Sequence, residues 1–252
     1  MKPAELAVRL ESVQVSYQGR AALDIPQLEI HPGEQVVVLG PSGAGKTTLL
    51  RLLKGFVPPT RGTVEVLGAR LPLHRARERR RFHRRAGLVH QQFDLVGRSS
   101  LLDNVLYGRL GHGRSWRRLF GWFGLQDEEV ALRILEEVRM ERKLHQRAST
   151  LSGGEQQRVA IARALAQEPE ILLADEPVSN LDPRLSREIV ELLAGAATRR
   201  SLTLVLNLHQ PRLIRKLNFR ILGLRQGKIV WEGRAEELSP AVQEKIYGES
   251  DN

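Results

Sequence analysis

The chain has 252 residues, 41% of them hydrophobic and 27% charged, with a formal net charge of +10. That length buries a sizeable core in one domain, and the lack of cysteine excludes disulfides, thiolate metal sites and cysteine nucleophiles. No apolar run approaches the ~18 residues of a membrane span, and Arg9 and Glu11 interrupt the stretch where a secretory leader would be apolar, so the expected place is the cytosol.

In chain order, alternating and apolar runs predict strands over residues 8–17, 23–31 and 35–39, with Pro32-Gly33 as a turn. A helix is predicted over 46–54, stopped by Gly55 and Pro58-Pro59. A short strand follows at 62–67. Much of the positive charge then falls in one place: Arg75, Arg77, Arg79, Arg80, Arg81, Arg84 and Arg85. A solvated, partly helical face accounts for that run best; membrane-surface contact ranks second and nucleic-acid readout a distant third. Another strand is predicted at 87–90.

Helix signals dominate next. Ser100 to Asp103 has capping-box spacing, and helices are predicted over 127–140 and 153–167. The apolar run 171–174 suits a central parallel strand buried on both faces. Asp182 and Pro183 then supply a cap and a first-turn proline for a helix to Thr198. A strand at 201–207 and a hairpin of 221–224 with 228–231 around Gln226-Gly227 close the pattern. Strands alternating with helices argue for an α/β fold with a mostly parallel sheet. The helical stretch reads as an inserted subdomain over about 99–167, within one domain whose core spans about 1–98 and 168–252.

Three motifs carry chemistry. Gly40-Pro41-Ser42-Gly43-Ala44-Gly45-Lys46-Thr47 fits the P-loop pattern between a predicted strand and a predicted helix. Its glycines let amides turn toward phosphate oxygens at a helix N-terminus. Lys46 can reach the β and γ phosphates, and the Thr47 hydroxyl can ligate Mg²⁺. A glycine-rich turn that binds nothing is the plainer alternative. Asp175 and Glu176 end the apolar run at the mouth of the sheet, where ligands bind. Asp175 suits an acid that holds Mg²⁺ directly or through water, and Glu176 a general base or water-orienting group; a pair of helix-capping acids is the competing reading. In Leu151-Ser152-Gly153-Gly154-Glu155-Gln156-Gln157-Arg158, Ser152 and Glu155 have capping-box spacing, and the paired glycines expose amides at a helix start.

This octet resembles the ABC signature sequence, and the chain as a whole resembles an ABC transporter ATPase. The remaining family motifs occur in order: Tyr17 as the adenine-stacking aromatic, Gln91 as the Q-loop glutamine, Ser179-Asn180-Leu181-Asp182 as the D-loop and His209 as the switch histidine. Singly, each has an ordinary alternative as surface, loop or structural residue. His90 departs from the phenylalanine usual before that glutamine.

The resemblance implies a P-loop NTPase core with an antiparallel β subdomain and an inserted helical subdomain. It implies ATP and Mg²⁺ as cofactors, with the nucleotide held by Tyr17 and by the loop from Gly40 through Pro41, Ser42, Gly43, Ala44, Gly45, Lys46 and Thr47 to Thr48. Thr47, Gln91 and Asp175 would serve the metal, while Glu176, His209 and Gln91 would act in hydrolysis. Ser152, Gly153, Gly154 and Glu155, with Asp182, would complete the site of a second copy in trans. The partners implied are that second copy, transmembrane permease subunits and a substrate-binding protein, at the cytoplasmic face of the inner membrane and without nucleic acid.

Rival classes fit less well. ATPases of DNA repair separate the P-loop from the signature with long coiled coils, translation factors carry two cassettes, and P-loop kinases need no 151–158 octet. Stand-alone ATPase chains are typical of bacterial importers, although some exporters use them. Among importers, residues 104–111, 119–123 and 207–210 resemble the phosphonate subgroup, although Pro211 departs from it. An importer or exporter of another substrate is the alternative. The aromatic- and arginine-rich stretch 114–123, with Trp116 and Phe120, reads equally as a docking surface for membrane subunits and as core packing.

Overall fold

The computed structural model describes residues 6–112, 122–214 and 217–248. Two sheets organise it. Strands β1 (Val8–Tyr17), β2 (Arg20–Ile30), β4 (Arg61–Val66) and β5 (Ala69–Leu71) form an antiparallel sheet in the order β2-β1-β4-β5. A six-stranded sheet has the order β10-β9-β3-β8-β7-β6. In it β3 (Gln35–Leu39), β6 (Ala86–Val89), β7 (Ile171–Asp175), β8 (Thr203–Leu208) and β9 (Arg220–Arg225) run parallel, and β10 (Lys228–Arg234) pairs antiparallel at the edge.

Local chemistry sets three of the connections. In each, two residues with positive φ link paired strands: Gln18-Gly19, Leu67-Gly68 and Gln226-Gly227. Positive φ at both central positions is what the tightest hairpin turn requires, and glycine adopts it without steric cost. The first turn extends β2 back to Arg20, earlier than the apolar run alone indicates.

Alternation divides the central strands between two cores. Val36, Val38, Leu173, Val205 and Leu222 face α1 (Lys46–Leu53) and the antiparallel sheet. Val37, Leu39, Leu172, Leu204, Leu206 and Ile221 face the other helices. These are α3 (Leu101–Leu106), α4 (Leu125–Glu137), α5 (Gly153–Ala166), α6 (Pro183–Arg200) and α7 (Pro240–Tyr247). The sheet is therefore buried on both faces, as parallel strands require. The arginine run forms α2 (Ala76–Arg85), which buries only Phe82 and is otherwise largely solvated. Residues 113–121, including Trp116 and Phe120, lie outside the described residues; next to them, Trp122 is 65% exposed and Phe123 packs on the core. Among the described residues no helix is long and apolar enough to cross a membrane.

Ion pairs tie the helices of the 101–166 stretch to the rest. The Arg158 guanidinium on α5 donates to Glu188 on α6 at 2.8 Å. Buried Arg109 pairs with Asp127 at 3.0 Å and with Glu168 at 2.7 Å. On α4, Glu137 accepts from Arg199 and Arg200 of α6, each at 2.6 Å. Burial would raise the Glu137 carboxyl, but the two guanidiniums outweigh it and hold its pKa below the usual 4.5. A carboxyl with a depressed folded pKa contributes stability that is present above its unfolded value and lost as pH falls through the folded one. Glu137→Gln should therefore be about 1–2 kcal/mol less stable at pH 7, a charged hydrogen bond discounted for solvent. Its urea midpoint should fall less than the wild type's between pH 7 and pH 3.5; an identical acid slope would remove Glu137 from the linkage.

Candidate nucleotide site

The C-terminal ends of the parallel strands converge on the loop between β3 and α1. Gly43 and Gly45 hold φ of +77° and +105°. A Cβ at Gly40 would lie 2.1 Å from the Leu224 carbonyl oxygen, and one at Gly45 2.7 Å from that of Ala22. The β9–β10 turn braces the same loop: the Gly227 N–H donates to Ala44 and the Asp24 N–H donates to Gly227. Glycine is thus dictated at position 40 by close backbone approach, and at position 45 by close approach together with positive φ.

Lys46 is 4% exposed and its ammonium donates to the carbonyls of Gly40 and Pro41, each at 2.9 Å. It lies 3.3 Å from His209 Nδ1 and 3.9 Å from Glu176 Oε1. Burial lowers the Lys46 pKa, and the carboxylates of Glu176 and Asp175 pull the other way. On its far side the His209 ring meets the same Glu176 oxygen through Nε2 at 2.5 Å. Glu176 holds φ of +48°, a left-handed conformation that costs a residue with a Cβ on the order of 1 kcal/mol and that recurs at functional sites.

Thr47, Thr48 and the carboxylates complete this side. Thr47 lies in the first turn of α1, and its hydroxyl donates to Asp175 Oδ1 at 3.1 Å; Thr48 follows in the same turn. The amide of Asn207, fully buried on β8, donates to that same oxygen at 2.8 Å. Sequence reasoning did not single out Asn207 as a site residue. Its only local signal is a polar residue in an apolar strand. The donor set fits Mg²⁺: one hydroxyl and one carboxylate leave the remaining positions to phosphate and water, as that ion prefers. Among the described residues no cluster of three or more His, Cys, Asp or Glu could hold a metal unaided.

The other candidates stand apart from this cluster. Tyr17 ends β1 at the hairpin tip, 45% exposed. Gln91 follows β6, is exposed, and makes no hydrogen bond to the Lys46 cluster among the described residues. Asp182 caps α6, accepting from the amides of Arg184 and Leu185 at 3.0 and 3.1 Å. Ser152 and Glu155 form the capping box at the start of α5. Lys143 donates to Glu155 at 2.5 Å and chiefly accounts for that carboxyl's lowered pKa. The two glycines differ: a Cβ at Gly154 would meet the Leu185 side chain at 2.1 Å, so a larger residue there would have to displace that side chain, whereas at Gly153 the nearest atoms are 3.8 Å away. Packing does not demand Gly153.

Comparison with known proteins agrees with this geometry. The chain matches the ABC transporter family over residues 23–179. The phosphonates import ATP-binding protein PhnC 2 of Cupriavidus metallidurans is 45% identical over 244 residues, spanning 96% of this chain and 87% of that protein. A protein of the same name from Synechococcus sp. is 40% identical, spanning 97% and 91%. A solved ATP-binding cassette, dimeric in a post-hydrolysis state with ADP and Pi, superposes with a TM-score of 0.78 at 32% identity, covering 90% of this chain and 98% of that one.

The Asn207–Asp175 contact yields a stability test. Asn207→Asp would set two carboxyls against each other in a buried place, so one must take up a proton and its folded pKa rises. A carboxyl with a raised folded pKa favours the native state at low pH and loses that contribution as pH climbs through it. The variant should be about 2–4 kcal/mol less stable than wild type at pH 8 and recover toward it at pH 5, as read by urea midpoints. A pH-independent difference would show that Asp175 and residue 207 do not face each other.

Proposed function

The chain belongs to the ABC transporter family, and from that premise we propose that it is the ATP-hydrolysing subunit of a phosphonate importer, working as a pair of copies with separate membrane subunits. The observation that carries this reading is the convergence of Lys46, Thr47, Asp175, Glu176 and His209 at one edge of the sheet. The phosphonate assignment rests on relatives named for phosphonate import that match nearly the whole chain.

ATP binding asks Lys46 to exchange the carbonyls of Gly40 and Pro41 for phosphate oxygens. Its ammonium is already desolvated, so that exchange costs little further dehydration. Tyr17, exposed at the hairpin tip, offers a face to the adenine. Thr47 and Asp175 would hold Mg²⁺, with Gln91 reaching it from the end of β6; bound there, the ion neutralises phosphate charge. Glu176 accepts a proton from the water that attacks the γ-phosphorus, the bond to the bridging oxygen breaks, and ADP leaves with that oxygen. His209, touching both Lys46 and Glu176, is placed to steady charge on the transferring phosphoryl group.

No hydrogen bond joins the capped start of α5 to the Lys46 cluster among the described residues. That supports a role for Ser152, Gly153, Gly154 and Glu155, together with Asp182, on the nucleotide of a second copy. A substrate-binding protein and a place at the inner face of the membrane belong to the same proposal.

Glu176→Gln keeps shape while removing the proton acceptor. Turnover should fall by about 10²–10⁴, with ATP still bound and a dimer accumulating on size exclusion. Hydrolysis near the wild-type rate would take Glu176 out of the mechanism. The substrate assignment needs the assembled transporter: in proteoliposomes with its permease and binding protein, ATPase activity should rise several-fold on adding a phosphonate and not on adding sulfate or an amino acid. The converse pattern would reassign the substrate while leaving the ATPase intact.

A further inference from the structure

The C-terminal helix reaches back into the site. Ser239 caps α7 by accepting from the Val242 amide, and Pro240 begins it. Ile246 is fully buried over Gly223 on β9, where any Cβ would lie 2.5 Å from it. Gly40, the first residue of the P-loop, lies against the carbonyl of the next residue of β9, Leu224. One strand therefore carries both the helix and the loop, and the side chain after Ile246 falls between the P-loop and the end of β8.

That side chain is Tyr247. Its hydroxyl donates to the His209 carbonyl at 3.1 Å. Burial pushes the phenol up to about 12, against a smaller opposing pull from the Gly40 backbone near by. It thus remains a donor across the pH range of any assay. The ring packs partly buried against the core, so the hydroxyl is delivered by a fixed helix.

We propose that Tyr247 is a positioning residue for hydrolysis, fixing the backbone of His209 against the first residue of the P-loop so that the imidazole meets Lys46 and Glu176 together. This rests on the reading of His209 as a participant in hydrolysis. His209 begins the link from β8 to the 3₁₀ turn Pro211–Leu213, and its imidazole meets two partners through opposite ring nitrogens. Such an arrangement tolerates little backbone drift, since misplacement on the order of 1 Å can cost a hundredfold in rate.

Tyr247→Phe removes the hydroxyl and keeps the ring. In the assembled full-length protein, kcat for ATP should drop about tenfold, while the ATP Kd stays within about threefold and Tm within a few degrees. The same change should have no effect on the residual rate in a His209→Ala background, because the group it positions is gone. Unchanged kcat, or the same tenfold loss in the His209→Ala background, would overturn the inference while leaving the role of His209 intact. A weakened Kd with normal kcat would mean that Tyr247 serves only the P-loop, which also overturns it. Wild-type turnover in His209→Ala alone would refute the role of His209 and this inference with it. Should Tyr247→Phe lower Tm substantially, Tyr247→Trp, which refills the space with a donor in another place, must also be slow; fast turnover there sinks the proposal.

Discussion

A cation with almost no water around it sets the terms for the rest of this molecule. Lys46 is 4% exposed, and its position is stable only because two loop carbonyls accept hydrogen bonds from it and two carboxylates lie near by. Each of those neighbours must come from a different part of the chain. The carbonyls come from the loop after β3, the carboxylates from the end of β7 and the histidine from the end of β8. A parallel sheet meets that demand, because all of its strands deliver their C-terminal residues to one edge.

The same demand explains the glycines that matter and those that do not. Gly40 and Gly45 are pressed against the carbonyls of Leu224 and Ala22, so the loop around the ammonium is wedged between β9–β10 and the antiparallel sheet. Gly43 faces open space and is required only by its positive φ. Shape around Lys46 is thus imposed by neighbouring backbone, and on the proposed reading the change asked of ATP binding is to draw the ammonium off the Gly40 and Pro41 carbonyls.

Much of this was legible in the sequence because the signals are local. The P-loop, the acids after the apolar run, the Ser100 and Ser152 boxes and the Asp182 cap each depend on residues within a few positions of one another, and the α/β alternation follows from punctuation by glycine and proline. Strand β5 is three residues long and carries no period to detect. Helix α7 has a Ser-Pro start, yet its importance lies in Tyr247 touching His209 thirty-eight positions earlier in the chain. Asn207 is likewise visible only through Asp175. A polar residue inside an apolar strand marks a constraint; only the neighbouring strand tells which atom it serves.

The start of α5 shows how capping and anion chemistry coexist. A capping box takes Glu or Gln at its fourth position, and the Glu155 found here places negative charge at the helix end where amides and dipole would otherwise attract a phosphate. Lys143, 2.5 Å from Glu155, offsets that charge locally and lowers the pKa of the carboxyl that bonds Ser152. The helix end therefore keeps its cap without presenting a net negative field to whatever approaches it. Gly153 sits at that end with room for a side chain that packing would allow, in contrast to Gly154 beside Leu185. On the two-copy reading, room left open at Gly153 is room for the phosphate of a nucleotide held by the Lys46 cluster of the other chain. The requirement for glycine there then comes from a surface that one copy does not contain.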